Sequence, residues 1–125
     1  MSIAAIEYIK NLMKSLSIPY AFIEWKTKPP DDRYFVGECI EVSMATREED
    51  GRQDTTFILR GYTRGDWMLL MQDKEKIEKS AQRTAILDDG TGIAVFYDAC
   101  QIVPTGDAEL KSIKINLTIQ EWKVV

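Results

Sequence analysis

The chain has 125 residues, of which 45% are hydrophobic and 29% are charged, and these values are typical of one soluble globular domain. Its net charge of −4 disfavours specific nucleic-acid binding, which normally uses a basic surface. The sequence contains no histidine, the most common general base, and no apolar run that approaches the roughly 20 residues needed to cross a bilayer.

The first predicted element is an amphipathic helix over about residues 2–16. Ser2 is suited to cap its N-terminus, and Pro19 ends it. Because Glu7 interrupts the apolar positions and no basic region precedes them, we interpret this segment as a helix and not as a signal peptide. The chain is therefore expected to fold in the cytoplasm. The apolar positions recur every three or four residues, at Ile3, Ile6, Ile9, Met13 and Leu16.

A strand rich in aromatic residues, Tyr20–Trp25, is predicted next. The segment that follows, Thr27–Arg33, contains two prolines and two aspartates and is predicted to be a loop. A second strand comes after it, and the alternation of Ile40, Val42 and Met44 with polar residues predicts one buried face.

A charged turn centred on Asp50 and Gly51 joins the second strand to a returning strand, Thr55–Arg64. Apolar residues occur on both faces of the returning strand, which indicates that part of it is covered on both sides. The turn has two interpretations that the sequence leaves open. It is either a solvated hairpin tip or an arm that reaches another protein.

Asp66 is predicted to cap a second helix over about residues 67–82. Met68 and Leu69 fall outside the apolar stripe of that helix, so its first turn carries more apolar surface than one face needs. This end of the helix is either buried on two sides or in contact with a partner.

A short hairpin, Arg83–Leu87 with Ile93–Tyr97, follows the second helix. The chain then enters a strongly alternating last strand, Ile113–Gln120, which Trp122 ends. The order α-β-β-β-α-β-β-β predicts one α+β domain over residues 1–125, with two helices packed on one side of a mostly antiparallel sheet.

Residues with catalytic or metal-binding chemistry are few and scattered. Cys39 and Cys100 belong to no CxxC pair and are interpreted as small buried apolar residues. Asp88, Asp89 and Asp98 offer carboxylates, but their spacing matches no EF-hand loop. We therefore predict that the chain is not an enzyme, holds no metal and needs no cofactor.

The layout resembles that of the tail terminator proteins of long-tailed bacteriophages and prophages, which are also called tail completion or head–tail joining proteins. The resemblance rests on Asp54–Arg64 (DTTFILRGYTR), on the helix after it, and on the closing segment Ile113–Trp122. In layout it covers essentially the whole chain. Other head–tail connector proteins share much of this pattern.

Membership of that family implies a structural protein that forms a hexameric ring on the last ring of the tail tube. The ring stops tube polymerisation and provides the surface that docks to the filled head. The implied partners are further copies of this chain, a tail tube protein and a head connector protein, with no membrane. DNA passes through the lumen without specific binding, and the protein resides in the virion tail after synthesis in the host cytoplasm.

If rings form, three regions are expected to make contacts. The charged hairpin is expected to reach a neighbour or the tube, the start of the second helix to supply apolar contact, and the proline-containing loop to lie at a ring face. The residues concerned are Arg47, Glu48, Glu49, Asp50, Arg52 and Gln53 in the hairpin, Trp67, Met68 and Leu69 in the helix, and Lys28, Asp31, Asp32 and Arg33 in the loop.

Two other classes of function remain open from the sequence. The chain is alternatively a small α+β module that binds a ligand or regulates another protein, since small α+β folds carry many unrelated functions. An enzyme that uses carboxylates or a cysteine thiolate would need a thiol with a lowered pKa.

Overall fold

The computed structural model describes residues 1–41, 53–87 and 89–123. These residues form two helices and six strands, in the predicted α+β class, and the order of elements fits the expectation in outline. Neither helix is long and apolar enough to span a membrane, within the described part of the chain. The elements are α1 (Ile3–Ser15), β1 (Tyr20–Phe22), β2 (Arg33–Glu41), β3 (Gln53–Thr63), α2 (Trp67–Ala81), β4 (Arg83–Ile86), β5 (Thr91–Ile102) and β6 (Lys111–Lys123).

The strands form one sheet in the order β1-β2-β3-β6-β5-β4. β1 pairs with β2 in parallel, and the other neighbouring strands pair antiparallel. β6, the last strand in sequence, therefore lies in the middle of the sheet between β3 and β5. A register shift between Tyr97 and Ala99 marks a bulge in β5.

Both helices pack on one face of the sheet, and the core lies between them and that face. The alternation of β6 explains this arrangement, because every second residue from Ile113 to Ile119 is fully buried. The core joins these residues to others from both helices and from β2, β3 and β5, including Ile9, Met13, Phe35, Phe57, Leu59, Leu70, Ile77, Ile93 and Val95.

The two ends of the sheet differ in the chain connections that they carry, and we call them the loop end and the hairpin end. At the loop end, β2 begins at Arg33 opposite Thr63 of β3, and β6 begins at Lys111. At the hairpin end, β2 finishes at Glu41 and β3 begins at Gln53. The N-terminus of α1 also lies at the hairpin end, since the Ser2 N–H donates to the Glu121 carboxylate at 3.1 Å.

The predicted helix caps are confirmed. The Ser2 hydroxyl accepts a hydrogen bond from the Ala5 N–H at 3.1 Å, and the Asp66 carboxylate accepts one from the Met68 N–H at 2.9 Å. The first strand is shorter than predicted, because Ile23 adopts a left-handed φ of 69° that ends the extended run. The fifth strand is longer than predicted and continues to Ile102.

The prediction that Ile40 belongs to a buried face is wrong. Ile40 is 58% exposed on the sheet face that neither helix covers, whereas Phe35, nearer the start of the same strand, is fully buried on the helix face. Val42 and Met44, which share the predicted alternation, lie outside the described residues. Ile58 is buried on the face without helices, so β3 is covered on both faces as the sequence indicated.

Candidate interaction surfaces

An apolar groove lies at the loop end of the sheet, between the first turn of α2 and the β5–β6 connection. Its volume is about 340 Å³. Ile102, which lines it, is 62% exposed at the end of β5, beyond the residues of β5 that pair with β4. We call this the loop-end groove, and its lining includes Trp67, Ile102, Val103, Pro104, Leu110 and Lys111.

The first turn of α2 adds a second exposed apolar side chain at this end. Met68 is 57% exposed, while Trp67 and Leu69 on either side of it are half-buried. Trp67 packs against the core and also lines the loop-end groove, so it connects the interior to this surface. These exposed side chains make the loop end a candidate surface for contact with another protein.

A second apolar surface lies at the hairpin end, between α1 and β4. Its groove of about 390 Å³ is lined by Ala4, Tyr8 and Leu87, among other residues. Ile3 of α1 is 81% exposed at this end of the molecule. Ile86 is 69% exposed, but its side chain lies on the sheet face without helices, because its neighbours Ala85 and Leu87 pack against the core. We call the set Ile3, Ala4, Glu7, Tyr8 and Leu87 the hairpin-end surface.

An aromatic cavity of about 210 Å³ lies beside the predicted loop, on the sheet face without helices. Tyr34 and Tyr62 stack in it with ring centroids 5.3 Å apart, and Trp25 meets Tyr34 edge to face at 6.2 Å. The exposed cation Lys28 also lines the cavity, but it pairs with Asp31 at 3.2 Å.

The loop is fixed to the rest of the fold by a partly buried ionic cluster. Arg33 Nε donates to Asp73 Oδ2 of α2 at 2.9 Å, and its Nη1 donates to Asp32 Oδ2 at 3.0 Å. The hydrogen bonds to Asp73 raise the pKa of Arg33. The pKa of Asp32 is lowered, chiefly by the hydrogen bond from the Arg33 backbone N–H. This cluster joins the start of β2 to α2.

The structure brings two of the three predicted contact regions to the same end of the molecule. The loop residues Lys28 and Asp31 are exposed at the loop end, where Met68 also lies. Arg33 is directed toward Asp73 and is mostly buried, so it holds the loop rather than extending from it. Gln53 begins β3 at the opposite end and is half-buried. The other hairpin residues named above, Arg47, Glu48, Glu49, Asp50 and Arg52, lie outside the described residues.

The described residues hold no group of three or more potential metal ligands. Cys39 and Cys100 are half-buried free thiols. Burial raises the pKa of the Cys100 thiol, whereas a nucleophilic thiolate needs a lowered one.

The chain matches no protein-family model, and no curated protein is significantly similar to it.

Sequence reasoning found the start of α2 but missed the residues that complete the loop-end groove. Ile102 was missed because β5 was predicted to end at Tyr97, and the bulge after Tyr97 conceals the alternation that continues the strand. Asp73 was missed because a carboxylate in a helix is normally exposed. Its position between Leu70 and Ile77 on the apolar stripe was the available signal.

Proposed function

We propose that this chain is a tail terminator protein of a bacteriophage or prophage. It assembles into a hexameric ring, caps the tail tube and forms the surface that joins the tail to the head. The support comes from the resemblance in layout, from the α+β fold with two helices on one face, and from the two apolar surfaces described above. Capping and joining are binding functions, and no step of bond making or breaking is needed.

One observation carries the proposal: the exposed apolar surface at the start of α2. Met68 and Ile102 are both more than half exposed, beside a groove at the end of the sheet. In a ring, a neighbouring subunit or the tail tube would bury these apolar side chains.

The paired strands β2 and β3 support an arm at the opposite end. They are nine and eleven residues long, and they remain paired up to Glu41 and Thr55. The charged turn predicted between them would thus start from a firmly held base. The acidic balance of the chain also suits a lumen through which DNA moves without binding.

Native mass spectrometry over a concentration series, with negative-stain images of the same samples, tests the proposal. We expect a closed ring of six chains that binds the ends of purified tail tubes and shows no gel shift with duplex DNA at physiological salt. A chain that stays monomeric at its highest soluble concentration and does not bind tubes overturns the proposal.

Charge reversal in the predicted arm gives a sharper version of this test. The double substitution Glu48→Lys and Glu49→Lys is expected to shift the ring–monomer equilibrium toward monomers and to leave the melting temperature nearly unchanged. Matched reversal of Glu75, an exposed residue of α2, serves as the control. Equal ring formation by the arm variant and the control would remove the hairpin from the interface.

A second candidate function, the binding of a small ligand, is favoured by the aromatic cavity at the loop. Its volume of about 210 Å³ and its tyrosine pair suit a flat ring. A ligand screen by thermal shift tests this, because a molecule that binds the folded state raises the melting temperature. If the chain is a structural protein, we expect to find no ligand that raises the melting temperature of the wild type and fails to do so in the variant Tyr62→Ala.

A further inference from the structure

β4 leaves the outer side of β5 uncovered at the loop end. It pairs with β5 only up to Val95, whereas β5 continues to Ile102. The Val103 N–H donates to the Ser112 carbonyl of β6 at 3.0 Å. Because residues of an antiparallel strand face alternate sides, Cys100 and Ile102 direct their backbone N–H and C=O groups away from β6. Among the described residues, no strand or loop is hydrogen-bonded to this side of β5.

β1 forms the opposite edge of the sheet, and no described strand pairs with its outer side. The Pro19 carbonyl accepts a hydrogen bond from β2 at 2.8 Å, and the Ile23 N–H donates one to β2 at 2.7 Å. By the same alternation, the backbone of Tyr20 and the N–H of Phe22 face outward. The loop after β1 turns onto the sheet face without helices, where Trp25 packs, and so leaves this side open.

The two unpaired edges lie at the same level of the sheet. The rows of paired residues run from Tyr20 through β2, β3 and β6 to Ile102, and from Phe22 in the same way to Cys100. A second copy placed beside the first in the plane of the sheet would therefore bring its β1 next to the uncovered part of β5. The two strands run in opposite directions, so Tyr20 with Ile102 and Phe22 with Cys100 would form two hydrogen-bonded antiparallel pairs.

The position of β4 is compatible with this arrangement. Arg83, the first residue of β4, is level with Glu41 of β2, whereas Phe22, the last residue of β1, is level with Gly37. β4 of one copy and β1 of the next would thus occupy successive stretches of one column without overlap. Each edge of the sheet has a step, and the two steps are complementary, which favours a second copy of this chain over an unrelated peptide.

Exposed apolar side chains lie at both edges. Ile102 is 62% exposed on β5, and Ile23, directly after β1, is 56% exposed. In the paired arrangement Ile102 lies across from Tyr20 of the second copy, and aromatic residues stabilise β-branched ones in such cross-strand pairs. An edge that stays unpaired is a template for association with another strand.

We propose that β1 of one copy adds to the uncovered edge of β5 of the next, so that the sheet continues from subunit to subunit. The contact is heterologous, because each copy uses its β1 edge and its β5 edge, and the assembly grows until it closes. This inference rests on the ring-forming role proposed above and specifies its subunit interface.

Disulfide formation between two cysteine variants tests the register. Ala21 and Gln101 lie in one row of the sheet, and across the interface their Cα atoms would be about 4.5 Å apart, which a disulfide can bridge. Chains with Ala21→Cys and chains with Gln101→Cys, both also carrying Cys39→Ala and Cys100→Ala, are mixed and oxidised with diamide. We expect a disulfide-linked dimer of the two variants.

Lys114→Cys is the matched control for this experiment. Lys114 lies in the same row and on the same face, but on β6 in the middle of the sheet. Its mixture with Ala21→Cys is expected to give no linked dimer above the level of either variant alone. Equal linking of Ala21→Cys to both partners, or no linking to either, overturns the inference.

Removal of one outward-facing backbone donor tests the hydrogen bonds. Ile102→Pro deletes an N–H that no described residue uses and leaves the bonds to β6 in place, so the fold should tolerate it. We expect self-association to weaken by at least about tenfold in native mass spectrometry. Ile102→Val keeps the N–H and the branched side chain and should assemble as the wild type does. Circular dichroism verifies the fold of each variant, and the cysteine pair decides independently of the proline variant.

The outcomes separate this inference from the proposed function. Closed rings that give no specific cysteine link and tolerate the proline overturn the interface and leave the ring-forming role standing. Linked open chains or dimers that do not bind tail tubes support the interface and overturn the tail terminator role. A wild-type chain that remains monomeric at its highest soluble concentration overturns the interface.

Discussion

Asp73 is a charged residue that lies almost completely buried in the fold. Its carboxylate is 2% exposed on α2, and its charge is balanced by Arg33, which is itself 18% exposed. Removal of one member of a buried pair is costly, because the remaining charge stays out of water without a partner. The pair also fixes the start of β2 against α2, next to the loop that lines the aromatic cavity.

The substitution Arg33→Met is expected to lower the free energy of unfolding by about 3 kcal/mol, measured by urea denaturation. The double variant Arg33→Met with Asp73→Leu should recover most of that loss, since an apolar pair leaves no buried charge. Lys28→Ala is the control, because the pair of Lys28 with Asp31 is fully solvated and should change stability by less than about 0.5 kcal/mol. A single variant as stable as the control would show that the pair does not stabilise the fold.

Gly61 is a second residue that packing constrains, because the space around it leaves no room for a side chain. It lies opposite Phe35 in β2, and a Cβ added there would be 2.6 Å from the Phe35 ring and 3.2 Å from Leu70. The substitution Gly61→Ala is therefore expected to lower the free energy of unfolding by about 1–3 kcal/mol through overpacking. Gly65→Ala is the control, because its nearest neighbour would be 3.5 Å away. Equal urea midpoints for the two variants would contradict the prediction.

At the scale of elements, α1 is held to the sheet at its N-terminus by a buried carboxylate. Glu121 of β6 is 5% exposed, and its two oxygens accept hydrogen bonds from the Ser2 N–H at 3.1 and 3.4 Å. A carboxylate is stabilised at a helix N-terminus, where the unpaired N–H groups carry partial positive charge. This contact positions Ile3, and thereby the hairpin-end surface.

Glu121→Gln keeps the size of the side chain and removes its charge. We expect a loss of about 1 kcal/mol in the free energy of unfolding, with faster amide hydrogen exchange in α1 than in α2. Glu109→Gln, at an exposed position in the β5–β6 connection, should leave exchange in both helices unchanged. Protection of α1 equal to that of the wild type would indicate that packing alone holds the helix.

The elements differ in how much of them the sequence could predict. The helix caps and the last strand could be predicted because they are local sequence patterns. The residues that predicted them are Ser2 and Asp66 for the caps and the alternation from Ile113 to Ile119 for the strand. Which face of β2 is buried depends on where the helices pack, and no residue near Ile40 contains that information. The candidate surfaces could not be predicted from local sequence either, because the loop-end groove brings Trp67 together with residues more than thirty positions away.

At the scale of the whole molecule, β6 joins two parts that otherwise do not meet in the sheet. Strands β1, β2 and β3 lie on one side of it, and strands β5 and β4 lie on the other. The strand that completes the sheet is the last to be synthesised. The fold therefore cannot close before the C-terminal strand is available, and both ends of the molecule depend on that strand for their relative position.

Leu117, at the centre of β6, tests whether the two parts unfold as one. It is fully buried and lies opposite Phe57 on one side and Tyr97 on the other. Leu117→Ala is expected to lower the free energy of unfolding by about 2–5 kcal/mol and to speed hydrogen exchange equally in β2 and β5, because a two-state domain opens as a unit. Lys114→Ala, on the sheet face without helices, is the control and should change neither. If β5 exchanged faster while β2 stayed protected, the two parts would be separate folding units, and β6 would not couple them.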